Sequence, residues 1–288
     1  MTIAFLNGEF MPLSEAKISP MDRGFLFGDG IYEVIPTYHG KAVGMTGHLN
    51  RMRDGLAAIS ITNPYSAQQW QQNLDGLIDA NASHFPSGNI GVYFHISRGT
   101  DTKRYHAYPQ NITPTVFGFA FEIAPAQPLE ADKVKPFKVA LEEDKRWQRC
   151  HIKSTSLLGN VMHFQAGVES GVQETILHNS DGIITEASSC NVFMVKDNAI
   201  FTPPLDNQLL PGITRQIALE AFKQAGLVVE EKWFTTKDLF NADEVWLTSS
   251  SKEIAPVIEV DGKTIGIGEV GQMWEKAIKA YHNYKFEA

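Results

Sequence analysis

The chain has 288 residues, 43% of them hydrophobic and 20% charged, and a formal net charge of −8. That length can bury a core for one or two domains, and the composition is that of an ordinary globular protein. An acidic balance excludes a nucleic-acid backbone or an anionic membrane as the main partner, so any basic site has to be local.

No stretch approaches the roughly 18 uncharged apolar residues of a membrane span. Cys150 and Cys190, the only cysteines, make neither a disulfide framework nor a zinc site, and no metal site is expected. The amino-terminal stretch has no basic segment followed by an apolar run, so the expected location is cytoplasmic.

In chain order, residues 3–11 read as a hairpin turning at Asn7-Gly8, a dipeptide suited to a type I′ turn. The stretch from Asp22 to Glu33 holds Gly24, Gly28 and Gly30, which allow tight turning or close approach, but its spacing is neither a Walker loop nor G-x-G-x-x-G. Residues 31–38 read as a strand and 48–60 as a helix with Leu49, Met52, Leu56 and Ile59 in one stripe. Arg51 lies off that stripe, where a solvated charge is the plain reading. A second helix is expected over 68–80, and strands over 89–97 and 114–121, the latter with Phe117, Phe119 and Phe121 on one face and Gly118 and Ala120 on the other. The connection from Arg98 to His106 is either a solvated hairpin tip or a basic loop that grips an anion.

Residues 124–130 read as a linker, with Ala124-Pro125-Ala126-Gln127-Pro128 as its core, between an N-terminal domain over 1–123 and a C-terminal domain over 131–288. A strand is expected near 138–141. Lys153 follows, just before Ser154, Thr155 and Ser156, which are good N-cap residues, and Leu157, Val161, Phe164 and Val168 then recur at helical spacing. On local grounds Lys153 is either an exposed surface lysine or a partly desolvated, nucleophilic one. Strands over 175–178 and 182–185 lead into Glu186, an acid at a strand end among small polar residues. Residues 191–202 form a hairpin turning at Asp197-Asn198. Leu210-Pro211-Gly212-Ile213-Thr214 opens a helix with Thr214 as expected N-cap, and a strand over 243–247 ends in Thr248-Ser249-Ser250-Ser251. Both places can bind an anion. A hairpin at Asp261-Gly262 and a helix over 270–286 close the chain.

A lysine amine, an acid at a strand end, two hydroxyl-rich anion sites and spare arginines are the parts that pyridoxal phosphate requires. They are compatible with that cofactor without selecting it.

The ordered motifs carry more. They are Phe27-Gly-Asp-Gly-Ile-Tyr-Glu33, His48-Leu-Asn-Arg51, Arg98-Gly-Thr100, Arg104-Tyr-His106, Arg149-Cys-His-Ile-Lys-Ser154, Leu157-Leu-Gly-Asn160, Thr185-Glu-Ala-Ser-Ser-Cys-Asn-Val-Phe193, Gly212-Ile-Thr-Arg215 and Thr248-Ser-Ser-Ser251. Over nearly its whole length the chain resembles the fold-type IV pyridoxal-phosphate aminotransferases (class IV), and within them the D-amino acid group. The resemblance implies a mixed α/β, two-domain fold: a smaller N-terminal α/β domain, a larger C-terminal pseudo-barrel domain carrying the Schiff-base lysine, and the cofactor at their interface. It implies Lys153 as that lysine and as the proton carrier, Glu186 as the acid facing the pyridine nitrogen, and Leu210 under the ring. Arg51, Ile213, Thr214, Ser249 and Ser250 match the phosphate cup, and Tyr32 the tyrosine near the substrate. Arg104 and His106 match the pair that traps the substrate carboxylate, in the family from the partner subunit, so a homodimer is implied.

The implied reaction moves an amino group between a D-alanine-like D-amino acid and a 2-oxo acid, 2-oxoglutarate or pyruvate. The alternatives of the same fold are a branched-chain L-amino acid aminotransferase, whose tyrosine-arginine-proline motif is not found here, and aminodeoxychorismate lyase, which lacks the clamp. Tyr105, Ala187 and Cys190 depart from the family pattern and bear on side-chain preference.

Overall fold

The computed structural model describes residues 1–287. The chain divides into two compact units, Met1–Pro125 with Ile152–Leu157, and Ala126–His151 with Leu158–Ala288.

The first unit is a six-stranded sheet of β1 (Ile3–Leu6), β2 (Glu9–Pro12), β3 (Gly30–Tyr38), β4 (Lys41–Ala42), β5 (Asn89–Ser97) and β6 (Thr115–Glu122), with helices α1 (Arg23–Phe27), α2 (Met45–Ala58) and α3 (Ala67–Asn81). The strand order is β2-β1-β6-β5-β3-β4, antiparallel throughout. Asn7 and Gly8 both take positive φ, at 50° and 103°, as a type I′ turn demands. One sheet face buries Phe5, Ile31, Ile35, Val92, Phe94 and Ile96 against Met52 and Leu56 of α2 and Trp70, Leu74 and Leu77 of α3. A Cβ on Gly118 would meet the Phe94 ring at 2.8 Å, so the small residues of β6 admit the core while Phe117, Phe119 and Phe121 lie half-buried on the opposite face. A reciprocal capping box of Ser66 and Gln69 starts α3.

Residues Ile152–Leu157 group with this unit because their backbone pairs with β3. Tyr32 N–H donates to the Lys153 carbonyl at 3.0 Å, Thr155 N–H to Gly30 at 3.0 Å, and Ile31 bridges to Ser154. Lys153 therefore stands with the first unit, whereas the expectation from sequence set it in the C-terminal domain.

In the second unit β7 (Phe137–Glu143), β8 (Glu174–His178), β9 (Ile184–Ala187), β10 (Asn191–Lys196), β11 (Ala199–Thr202), β12 (Val229–Glu231), β13 (Glu244–Ser249), β14 (Glu253–Val260) and β15 (Lys263–Thr264) form a nine-stranded sheet. It is ordered β12-β11-β10-β13-β14-β7-β8-β9, with β15 beside β14, and curls into a half-barrel. Pairings β11/β12, β14/β7 and β7/β8 are parallel and the others antiparallel. The helices are α4 (Leu158–Glu169), α5 (Ile213–Gln224), α6 (Thr236–Phe240) and α7 (Gln272–Tyr284). One core holds Ile176, Ile184, Val192, Val245, Leu247 and Val257. Elsewhere Phe222 of α5 meets Phe193 and Trp246 edge to face. The mixed α/β class expected from the sequence is the class observed.

Two local expectations are corrected. The N-cap of α5 is Gly212, with no side-chain cap, and Thr214 is already helical. The buried face of α4 is His163 and Gly167, while Leu158, Val161, Met162, Phe164 and Val168 are exposed. A Cβ on Gly167 would meet the Thr175 hydroxyl at 2.7 Å, so the face of α4 that packs closely on β8 is the glycine face rather than the apolar stripe. Among the described residues no helix is long and apolar enough to cross a membrane.

Candidate active site

The sequence-selected residues fall into two sets. Lys153, Tyr32, Arg51, Arg104 and His106 belong to the first unit; Glu186, Leu210, Ile213, Thr214, Ser249 and Ser250 belong to the second.

In the first unit, Lys153 rides on a strap fixed from both ends. Besides the backbone pairing with β3, the Thr155 hydroxyl donates to the Gly28 carbonyl at 3.0 Å and the Ser156 hydroxyl to the same carbonyl at 3.1 Å. These hydroxyls therefore tie the strap to a glycine turn (Gly28 φ 64°). The backbone is held while the half-buried side chain projects, and Lys153 Nζ lies 4.1 Å from the centre of the Tyr32 ring. Tyr32 stacks on Tyr93 at 5.6 Å and 29°. Burial, with Tyr32 beside it, pushes the Tyr93 phenol up to about 12.

Arg51 is not the solvated charge its position off the α2 stripe suggests. Its Nε and Nη2 donate to the two oxygens of Glu33 at 2.8 and 2.7 Å, and His48 Nδ1 meets Oε2 at 2.7 Å. Glu33 is fully buried. Burial works to raise its carboxyl, but the Arg51 charge and the hydrogen bonds from Arg51 and His48 bring it down to about 2. Burial pushes His48 below its ordinary value, and the charges of Arg51 and Lys153 add to that.

Arg104 and His106 stand exposed on the connection between β5 and β6. The Phe27 ring lies 5.3 Å from the Arg104 guanidinium carbon and 5.3 Å from the His106 ring centre, so both side chains share one aromatic support.

In the second unit, Glu186 of β9 is buried with every oxygen engaged. Arg146 Nη1 donates to Oε1 at 2.5 Å, while Leu210 N–H at 2.9 Å and Asn191 Nδ2 at 3.2 Å donate to Oε2. Burial pushes the Glu186 carboxyl above the usual carboxylate range, against the opposing pull of Arg146. Arg146 is in turn held by Asp144 at 2.8 Å. Asn191 also donates to the Leu210 carbonyl at 2.9 Å and pairs with Thr248 across β10 and β13. A Cβ on Gly212 would strike the Asn191 side-chain oxygen. Asn191 thus joins the acid, the start of α5 and the end of β13. Ile213 and Thr214 occupy the first turn of α5, whose N–H groups carry the positive end of its dipole. Ser249 ends β13 and Ser250 begins the turn after it, both half-buried, and Lys252 N–H donates to the Ser249 hydroxyl at 3.2 Å. The Thr248 hydroxyl is buried without a hydrogen-bond partner among the described residues.

Arg146, Asp144 and Asn191 escaped selection from the sequence. Asp144 and Arg146 sit in the run Glu142-Glu143-Asp144-Lys145-Arg146, which reads as a solvated surface stretch, and no local signal separates them from it.

The family model for amino-transferase class IV matches residues 30–260. The chain belongs to the class IV aminotransferases. A D-alanine aminotransferase of Bacillus licheniformis is 38% identical over 277 residues, covering 96% of this chain and 95% of that protein. Among solved structures, a branched-chain amino acid aminotransferase of Escherichia coli matches with TM-score 0.87 and 24% identity, covering 99% of this chain and 94% of that one. A hypothetical aminotransferase from Mycobacterium tuberculosis in a PLP-bound form matches with TM-score 0.83 and 18% identity, covering 97% and 98%. At those identities the two structures share the fold of this class IV aminotransferase and say nothing more of it. The expected fold-type IV architecture is thereby met.

Proposed function

We propose that this aminotransferase exchanges the amino group between a D-amino acid, with D-alanine as model substrate, and a 2-oxo acid such as 2-oxoglutarate or pyruvate. Its cofactor is pyridoxal phosphate, and it works as a cytoplasmic homodimer. The observation that carries the substrate reading is the Arg104/His106 pair on one loop about the Phe27 ring, two groups able to take one carboxylate. The 38% identity to a protein named for D-alanine supports it.

The residues present fit the cofactor. The buried Thr248 hydroxyl, which has no hydrogen-bond partner among the described residues, the start of α5, which no side chain caps, and the hydroxyls of Ser249 and Ser250 supply donors of the kind a phosphate takes. A buried carboxylate held on both oxygens suits a protonated ring nitrogen. Lys153 would hold the cofactor at Nζ; Glu186 would keep a proton at the pyridine nitrogen, with Leu210 against the ring; Arg51, Ile213, Thr214, Ser249 and Ser250 would take the phosphate. When bound, pyridoxal phosphate supplies an electron sink for the substrate Cα. Lys153 Nζ, freed, would move the proton to and from that carbon, from a strap whose backbone is tied to β3 and to the Gly28 carbonyl. Tyr32 would lie against the substrate. Arg104 and His106 would orient the carboxylate so that the Cα–H of the D-enantiomer faces Lys153, a positioning effect.

The test is a panel of D- and L-amino acids with 2-oxoglutarate and with pyruvate. The purified protein is expected to be yellow and to consume D-alanine with 2-oxoglutarate. Turnover of L-leucine without D-alanine would move the assignment to the branched-chain enzymes, and pyruvate from aminodeoxychorismate without amino exchange to the lyase.

A further inference from the structure

The clamp residues Arg104 and His106 stand exposed in an irregular connection, residues 98–114, and have no apolar burial of their own to fix them. What reaches them from inside is Arg23 of α1. Its guanidinium, 3% exposed, donates Nη1 to the Tyr105 carbonyl at 2.6 Å and Nη2 to the His106 carbonyl at 3.2 Å. The third edge, Nε, donates to Asp29 at 2.8 Å. Its guanidinium carbon also sits 4.8 Å from the centre of the Phe27 ring, the ring that supports both clamp side chains.

The root of this pin is itself fixed. Asp29 also accepts from Arg98 Nε and Nη2 at 2.8 and 2.9 Å, and Arg98 donates on to the Ile59 and Ser60 carbonyls and lies 3.5 Å over the Tyr108 ring. Asp22 caps α1 through Gly24 N–H and accepts from Thr115 at the start of β6. Arg23 N–H donates to Gly99 at the base of the loop. A buried guanidinium is costly unless all its edges are paired, and here two edges are spent on the successive carbonyls of Tyr105 and His106.

We propose that Arg23, with Phe27, is a positioning residue that sets the reach and spacing of Arg104 and His106 and thereby the affinity for the substrate carboxylate. This rests on the reading of those two residues as the carboxylate clamp. The planar fork matters: a lysine, a point charge, holds one carbonyl and frees the other.

The experiment compares Arg23→Lys, Phe27→Leu and Arg104→Ala in the full chain reconstituted with pyridoxal phosphate. Peptide-level hydrogen exchange over residues 99–110 and KM against kcat for D-alanine are read together. Arg23→Lys is expected to speed exchange in that loop and raise KM about tenfold with kcat within about twofold, the scale of one lost charge-assisted hydrogen bond. Phe27→Leu should raise KM in the same sense, and it carries the test if Arg23→Lys fails to fold. Unchanged exchange and KM in both variants would overturn the inference, as would a fall in kcat with KM unmoved. If Arg104→Ala raises KM while Arg23→Lys and Phe27→Leu do not, the inference fails and the clamp stands. If Arg104→Ala leaves KM unchanged, the clamp reading itself fails, and the inference with it.

Discussion

Arg146 meets Glu186 at 2.5 Å with both side chains no more than 5% exposed, making the most buried carboxylate–guanidinium contact of the second unit's site. Neither partner is held by the other alone: Asp144 grips the far edge of the guanidinium, and Leu210 N–H and Asn191 grip the other carboxylate oxygen. Such a pair contributes little net stability but is expensive to break from one side. Arg146→Met is therefore expected to lower the unfolding free energy by about 3–5 kcal/mol, because a buried carboxylate loses its partner. Adding Glu186→Gln to that variant should recover much of the loss, which urea denaturation of the four proteins of the cycle would measure.

The Glu33 network makes a pH prediction. Its carboxyl is lowered to about 2 from an ordinary 4.5, so its contribution is full above about 4.5 and is lost as pH falls toward 2. The amount is on the order of 3 kcal/mol. His48, pushed below its ordinary 6.5 chiefly by burial, adds in the same direction, because proton uptake as pH falls below about 6.5 favours the unfolded chain. Glu186, raised rather than lowered, acts oppositely as pH climbs through the carboxylate range. The difference between the native protein and Glu33→Gln isolates the first effect. Urea midpoints from pH 7 to pH 3 should converge for the two proteins, and parallel curves would contradict it.

Gly212 has φ −64°, so alanine there costs no backbone strain, yet its Cβ would displace Asn191. Gly212→Ala is expected to disturb the acid and the start of α5 together. Overpacking of this kind costs about 1–3 kcal/mol, which at the site corresponds to roughly tenfold weaker retention of pyridoxal phosphate. Equilibrium dialysis against the cofactor would read it.

Lys153→Ala should leave the strap in place, since the hydroxyls of Thr155 and Ser156 and the backbone of Lys153 make its bonds. Amino exchange is expected to fall by at least about a thousandfold with the melting temperature little changed. Retained turnover would remove Lys153 from the reaction.

The amino-acid sequence by itself determined what depends on near neighbours. The hairpins at Asn7-Gly8 and Asp197-Asn198 follow from residues that accept positive φ, and the span Asn89–Ser97 follows from alternation. The roles proposed for Lys153, Glu186 and the Arg104/His106 pair come from the resemblance to the family's ordered motifs, because local sequence patterns do not separate them from ordinary lysines, acids and loop residues. Tertiary structure alone decided partners. Arg51 finds Glu33 eighteen residues away, and Arg146 finds Glu186 forty residues away. Arg23 finds the carbonyls of Tyr105 and His106 more than eighty residues on. The buried face of α4 is likewise a tertiary matter: it is the face of His163 and Gly167 that lies against β8, not the apolar stripe that the helical period marks. The physical reason is common to all of them. Periodicity and turn preference are properties of a few adjacent dihedrals, whereas burial and charge pairing exist only once distant segments exclude water together.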